Sequence, residues 1–492
     1  MPGRGLLHYE HSLRTRVSIC SIIRRQGIGL CLCCLLPLAS PASEKIKILE
    51  TGPEAGHYLS WKGRPILLVG DSVTQGWMEC GTNFDQRRYV EALANRGVNL
   101  LMLWAFKGTD ATGQQRDRRI SYDAPEIWPW VGSPEARSFD LRQFNPAYFD
   151  RLKELVAYAE SKGIVILITV HDGWTKTCFG AHPFNRALGN GPLASREQYV
   201  DLADAQREMP PEFETAWTWK QQNQYFQERF CAELIATLQP FSNVLYEMFN
   251  EGEWYNKALR RQHEQHFLAF FRARCNTLLL SNSDAIASDK PHEDPKVDVV
   301  TLHPQGWVGT AGLFASGFRN VPPRPYLYSE PVPEFDGEKP SLATIRRSMW
   351  EVTMAGAGWV NQDDPSFGWD KHAAIAAKAA PRDLAYEHAG YCARFFNQEG
   401  VRFWEMSPQA GIASNGYCLA QPGVEYVVYL GRSGSVTLDL SAASGRELAV
   451  RWFNPRTGKS QSADSVRADK SAQEFTSPFE GDAVLHLRNL SK

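Results

Sequence analysis

The chain has 492 residues, 43% of them hydrophobic and 22% charged, with a formal charge of −2. Its length predicts two to four domains with ordinary cores, and its near-neutral balance excludes the basic footprint of a nucleic-acid or acidic-membrane binder. Aromatic residues reach 12%, including 15 Trp, and many fall between the periodic segments. There they suit either platforms for apolar sugar faces or covered core.

Residues 24–42, RRQGIGLCLCCLLPLASPA, carry a basic pair, a short apolar run and small residues before a cut after Ala42. This is the grammar of a signal peptide, and the run is too short to span a bilayer. The 23 residues before it make an over-long n-region, which points to a start further downstream. Arg24-Arg25 hints at twin-arginine export, although the flanking residues do not complete that pattern. The expectation is a secreted or periplasmic protein with no membrane anchor after residues 1–42 leave. Without them, 48 basic residues face 54 acidic ones. Of ten cysteines, four lie in this leader; Cys80, Cys178, Cys231, Cys275, Cys392 and Cys418 are far apart without CxxC spacing. Export permits pairing among the six, and buried free thiols are the alternative.

After two short strand-like runs from Lys45, Ile66 to Asp71 reads as a first buried strand, with Asp71 at its end. A helical pattern over 85–96 closes at Gly97, and VNLLMLW (98–104) is a second strand ending in Trp104. Residues 105–146 read as a long loop holding Trp128, Trp130 and Phe139. A helix over 148–162 then leads to a third strand, IVILITVHDGW (164–174), whose end carries His171, Asp172 and Trp174. A second insertion spans 173–218. Both insertions could wall a cleft or pad a flank.

A helix over 218–238 precedes NVLYEMFNEGEW (243–254), an apolar strand that ends in Asn250-Glu251. Further strands are LLLSNS (278–283), VDVVTLHP (297–304) with His303, RPYLYSE ending at Glu330, and AGWVNQDD (357–364). Helices are expected over 257–274, 341–355 and 382–398, whereas the Gly- and Pro-rich 304–324 segment shows none. Strands alternating with helices predict a parallel sheet, and eight such units an α/β TIM barrel over 43–407. Beyond Ser407 the helical period vanishes, and VEYVVYL, SVTLDL, ELAVRWFNPRTG and AVLHLR predict a small all-β sandwich over 410–492.

A carboxylate at a strand's C-terminal end stands on the catalytic rim of such a barrel. Glu330 lies 79 residues after Glu251, compatible with strands 4 and 7 when each unit averages about 31 residues. Two such glutamates are what retaining glycoside hydrolysis needs, one as acid/base and one as nucleophile. Asn250 suits a hydrogen bond to the sugar hydroxyl beside the anomeric carbon, and His171 or His303 suits holding the sugar or the nucleophile. Each residue has a plainer role available. Glu251 could cap the next helix, either His could be a satisfied core residue, Asp71 could bond backbone, and Asp363-Asp364 could start a turn. Glu247, Glu253 and Glu334 are neighbouring acids that a register shift would promote. No phosphate loop, HExxH or EF-hand spacing appears, so neither a cofactor nor a metal is implied.

With these residues in view, the chain resembles glycoside hydrolase clan A, in which the acid/base follows Asn at the end of strand 4 and the nucleophile ends strand 7. Asn250, Glu251 and Glu330 match those positions, and VHDGW is similar to the strand 3 His segment of family 5 cellulases. WKGRPILLVGDS, ALANRGVNLLMLWAF, FNEGEW and the tail VRWFNPRTG…FTSPFEGDAVLHLRN look like the apiosidase-like barrel group, which carries a C-terminal collagen-binding-type module. Gln305 stands where clan members often place Tyr, and the strand 3 to strand 4 connection is longer than in a plain family 5 barrel. The resemblance implies a poly- or oligosaccharide substrate, with Trp104, Trp174 and Asp71 lining the sugar site. A non-catalytic carbohydrate-binding or adhesion protein is the competing class. Sugar identity, linkage and oligomeric state lie outside what the sequence specifies.

Overall fold

The computed structural model of the protein describes residues 44–72, 76–79, 85–106, 127–133, 136, 138–172, 183, 217–250, 257–283, 290–303, 310–329, 341–361 and 383–491. The chain begins with β1 (Lys47–Ile48), β2 (Leu59–Trp61) and β3 (Arg64–Ile66), a small antiparallel sheet. Next come β4 (Val69–Ser72), α1 (Gln86–Arg96), β5 (Leu100–Trp104), β6 (Trp130–Ser133), β7 (Ser138–Phe144), α2 (Pro146–Ser161), β8 (Val165–Asp172) and α3 (Trp217–Leu238). The barrel is completed by β9 (Val244–Asn250), α4 (Lys257–Arg272), β10 (Leu279–Ser283), β11 (Val299–Leu302), α5 (Ala311–Gly317), β12 (Tyr326–Tyr328), α6 (Leu342–Met354), β13 (Gly358–Asn361) and α7 (Asp383–Gln398). Strands β4, β5, β8, β9, β10, β11, β12 and β13 close into an all-parallel barrel. This is the expected TIM barrel, with each of the eight strands where its apolar run lies.

Barrel strands read as unbroken apolar runs because both faces are covered. In β5, Leu100, Met102 and Trp104 join the cluster inside the barrel, while Leu101 and Leu103 join the layer beneath the helices. The first small sheet plugs the end opposite the strand C-termini. Its Ile46, Leu59 and Trp61 belong to the interior cluster, and Trp61 Nε1 donates to Ser242 Oγ at 3.0 Å, just before β9 begins. Helix α1 is capped as its sequence asks, by the Asp85 side chain at one end and left-handed Gly97 at the other.

Two sequence expectations need correction. The 304–324 segment does contain a helix, α5, despite glycines at 312 and 317. Its buried Ala311 and Phe314, the latter 5.4 Å from the Tyr328 ring, supply the packing that propensity does not. Within 105–146, β6 and β7 form an antiparallel hairpin instead of a loop. Trp130 packs on Phe106, Phe144 and Phe230, and Trp128 on Phe139, so this hairpin pads the flank against α2 and α3. All but Pro183, Trp217 and Thr218 of the second insertion lies outside the described residues.

Helix α7 crosses the end of α1 so closely that a Cβ on Gly390 would sit 1.9 Å from the Arg96 carbonyl oxygen. Gly390→Ala must therefore force the helices apart, and a loss of about 1–3 kcal/mol is expected, read as a lower urea midpoint with an unchanged m-value. A wild-type midpoint would rule out the close approach.

After the barrel come β14 (Ser407–Pro408), β15 (Tyr417–Gln421), β16 (Glu425–Leu430), β17 (Ser435–Asp439), β18 (Glu447–Asn454), β19 (Lys459–Arg467), β20 (Ala472–Thr476) and β21 (Ala483–Asn489). They make a six-stranded sheet, β14-β15-β16-β21-β18-β19, and a β17-β20 pair. The run EYVVYL of β16 is buried at every residue because its two faces enter different cores. Tyr426, Val428 and Leu430 face the module's own core, while Val427 and Tyr429 join the barrel's, where Tyr429 stacks on Trp350 of α6. The sandwich thus packs on the barrel's side. Among the described residues Cys231, Cys275, Cys392 and Cys418 are free thiols, and no helix is long and apolar enough to cross a membrane.

Candidate active site

The barrel strands carry the nominated residues that the structure describes, Asp71, Trp104, His171, Asn250 and His303, at or just beyond their C-terminal ends. Strand β9 ends at Asn250, which is 1% exposed and pairs in register with Asp172 of β8, as Phe249 does with His171. Strand β12 ends at Tyr328, followed by buried Ser329. Glu251 is the next residue after Asn250 and Glu330 the next after Ser329. Both glutamates, with Trp174, Glu253, Glu334, Asp363 and Asp364, lie outside the described residues.

Asp71, at the same level as Asn361 on β13, is 1% exposed, and its Oδ2 accepts the Tyr89 hydroxyl from α1. Its position in the strand turns it toward the helix layer, alternating with Leu68 inside and Val69 outside. Trp104 points the other way, capping the interior cluster at the last residue of β5. His303 follows β11, buried beyond Thr301 and Leu302. His171 lies against α4, its ring 4.5 Å from His263, 4.3 Å from Phe267 and 6.4 Å from Phe249.

One layer beneath the rim, Glu247 is fully buried and accepts the Thr169 hydroxyl at 2.8 Å and the Thr301 hydroxyl at 2.6 Å. A single carboxylate thereby ties β8, β9 and β11 across the barrel interior, four residues before Glu251 in the chain. A buried carboxylate is tolerated when its oxygens are hydrogen-bonded. The sequence named Glu247 only as a neighbouring acid and missed its threonine partners. Strand alternation was the available signal, since Leu245 and Glu247 share the inward face with Thr169 of neighbouring β8 and Thr301 of β11, two strands away. Glu79, 1% exposed, accepts the Gly76 amide at 2.9 Å after β4 and was also missed.

Burial pushes the imidazoles of His303 and His171 down to about 3, the latter helped by nearby His266. Burial, then the Arg346 charge, pushes His388 down to about 4. All three are neutral in the folded protein near pH 7. An imidazole whose folded pKa lies below its unfolded value adds stability above the latter and loses it as pH falls, because the unfolded chain takes up the proton first. Stability is expected to decline below about pH 6.5 by up to about 1.4 kcal/mol per pH unit for each of these side chains. Thermal unfolding followed from pH 7.5 to 4.5 checks this. A melting temperature that holds until carboxylates titrate below about pH 5 would contradict it. Among the described residues no group of His, Cys, Asp or Glu converges as a metal cluster.

Comparison with known proteins gives matches for both parts of the chain. Residues 410–488 match the family model described as "Putative collagen-binding domain of a collagenase". A solved glycoside hydrolase superposes with a TM-score of 0.63 at 14% identity, covering 91% of this chain and 98% of its own. A glycoside hydrolase of family 5 from Bacteroides vulgatus ATCC 8482 gives 0.62 at 15% identity, covering 91% and 96%. No curated protein matches the chain by sequence. At these identities the likeness is one of fold, and it extends over nearly the whole length of both hydrolases.

Proposed function

We propose that this chain is a retaining glycoside hydrolase of clan A, of the apiosidase-like kind, acting on a poly- or oligosaccharide. Glu251 is the acid/base and Glu330 the nucleophile. The observation that carries the reading is topological: within one closed barrel, β9 and β12 are the fourth and seventh strands, and each nominated glutamate follows its strand's last residue by one or two positions. The likeness to solved glycoside hydrolases at TM-scores of 0.62 and 0.63 supports it.

In this reading Glu330 attacks the anomeric carbon while Glu251 gives its proton to the departing glycosidic oxygen. Glu251 then takes a proton from the water that releases the sugar from Glu330. Asn250 holds the neighbouring hydroxyl, and Trp104, Trp174, His171 and His303 shape the sugar's surroundings, whereas Asp71, expected there from the sequence, turns to the helix layer and is held by Tyr89. Beneath them Glu247, braced by two threonines, sets the relative positions of three strands. The protein is exported, with residues 1–42 as leader, and the recovered chain begins near Ser43.

The test is the anomer first released from a cleaved glycan, followed by proton NMR before mutarotation. Net retention is expected, with carboxyl groups about 5–5.5 Å apart. Inversion, or a separation of about 6.5–9.5 Å, would replace the nucleophile by a general base. No turnover on any glycan of a broad panel would sink the hydrolase reading. N-terminal sequencing of exported protein checks the cut.

A further inference from the structure

The face that the six-stranded sheet turns to the barrel is apolar at one end and ionic at the other. Val427 and Tyr429 of β16, Phe453 of β18 and Val484 of β21 enter the barrel's core. By strand alternation and register, Glu425, Arg451, His486 and Arg488 continue the same three strands on the same face. His486 is buried, and its ring lies 6.0 Å from Phe395 of α7.

Arg451 fixes the state of that ring. A guanidinium can only donate, so its terminal nitrogen, 3.0 Å from His486 Nδ1, requires a lone pair there. The ring's one proton is therefore on Nε2, which donates to Glu425 at 2.7 Å. Arg451 also donates to Glu399, the first residue after α7, at 3.0 Å. Arg402 donates to Glu425 at 3.1 Å, and Arg488 to the Gly400 carbonyl at 3.2 Å. Three sandwich residues thus hold the connection that leaves the barrel. A second proton on His486 must go to Nδ1, where it breaks the Arg451 bond and sets two cations side by side. Burial, aided by the Arg451 and Arg488 charges and opposed by Glu425, holds the ring's pKa below its ordinary value. From the barrel's side of the seam comes His388 of α7, also buried and neutral, facing Arg346, Asp482 and the Arg456 backbone.

We propose that His388 and His486 form an acid-sensitive clasp: both rings must be neutral for the sandwich to dock, and their protonation releases it from the barrel while each part stays folded. Undocking takes α7 off His486 and the sandwich off His388, so burial no longer opposes the charge and the undocked form takes up the proton first. The docked population is therefore full above about pH 6.5 and falls relative to the undocked one as pH drops, by up to about tenfold per pH unit for each ring. The clasp does not depend on the hydrolase reading.

The test is scanning calorimetry and small-angle X-ray scattering of the full chain from pH 7.5 to 5.0, a range in which ordinary carboxylates stay largely ionised. At pH 7.5 a single transition is expected. At pH 5.0 it should split in two, and the radius of gyration should grow before either part melts. Glutamine offers one acceptor and one donor but takes up no proton. His388→Gln with His486→Gln is accordingly expected to keep one transition and the smaller radius at pH 5.0, and His486→Gln alone to lower the pH at which the transition splits. His486→Asn carries the same expectation and replaces His486→Gln if that variant fails to fold at pH 7.5. The proposal is overturned if the wild-type transition only shifts downward without splitting, if its radius is constant to pH 5.0, or if the folded double variant splits at the wild-type pH.

Discussion

Glu330→Gln is expected to abolish glycan turnover while leaving a folded protein that still binds sugar, and Glu251→Gln to lower it by about 10²- to 10⁴-fold. The two losses should differ in kind. Without its nucleophile the enzyme cannot form the covalent intermediate, so no choice of leaving group restores the rate. Without its acid/base it still can, provided that the leaving group departs unaided. On a dinitrophenyl glycoside of whichever sugar the wild type cleaves, Glu251→Gln is therefore expected to release a rapid burst and then stall, with no base to activate water. Azide, which needs no base, should restore turnover and yield a glycosyl azide of retained configuration. Glu247→Gln keeps both threonine contacts possible and is the control that separates chemistry from packing. If folded Glu330→Gln turns over at the wild-type rate, the assignment of the nucleophile is wrong.

The barrel was legible in the sequence because burial dictates where apolar residues go. Parallel strands buried on both faces announced themselves as runs such as LLMLW and VILITV, and in the latter the His171-Asp172 pair that ends the run marked the rim. The β6–β7 hairpin was written in the same language, because SFDLRQF alternates buried Phe139 and Leu141 with exposed Arg142. Surrounding Pro, Gly and charge hid it. Side-chain contacts were not legible: Asp71 meets Tyr89 only because α1 packs back over β4, 18 residues on. The seam could not be read from either domain's sequence, because Arg346 and Asp482 come together only when the sandwich docks on α6.

That docking rests on a buried ion pair whose removal should be the costliest single change outside the chemistry. Arg346 on α6 holds Asp482 of the sandwich through two bonds, Nε to Oδ2 at 2.7 Å and a terminal guanidinium nitrogen to Oδ1 at 3.0 Å, with both residues more than 90% buried. Tyr429 donates to the same carboxylate at 3.2 Å, and Trp350 packs beside them on Tyr429, Phe395 and Phe453. Arg346→Ala leaves Asp482 buried with only the Tyr429 hydroxyl and Arg456, at 3.6 Å, as partners. A loss of about 3–5 kcal/mol is expected. The pair itself need not be worth that much, because desolvating two ions offsets most of their attraction. Replacing both, as Arg346→Met with Asp482→Leu, should therefore recover most of the loss, and the double-mutant cycle isolates the coupling. Urea unfolding of the four proteins gives the answer. Arg346→Ala within about 1 kcal/mol of wild type would mean that water reaches Asp482 when its partner goes, and that the seam is held by the Trp350 cluster alone.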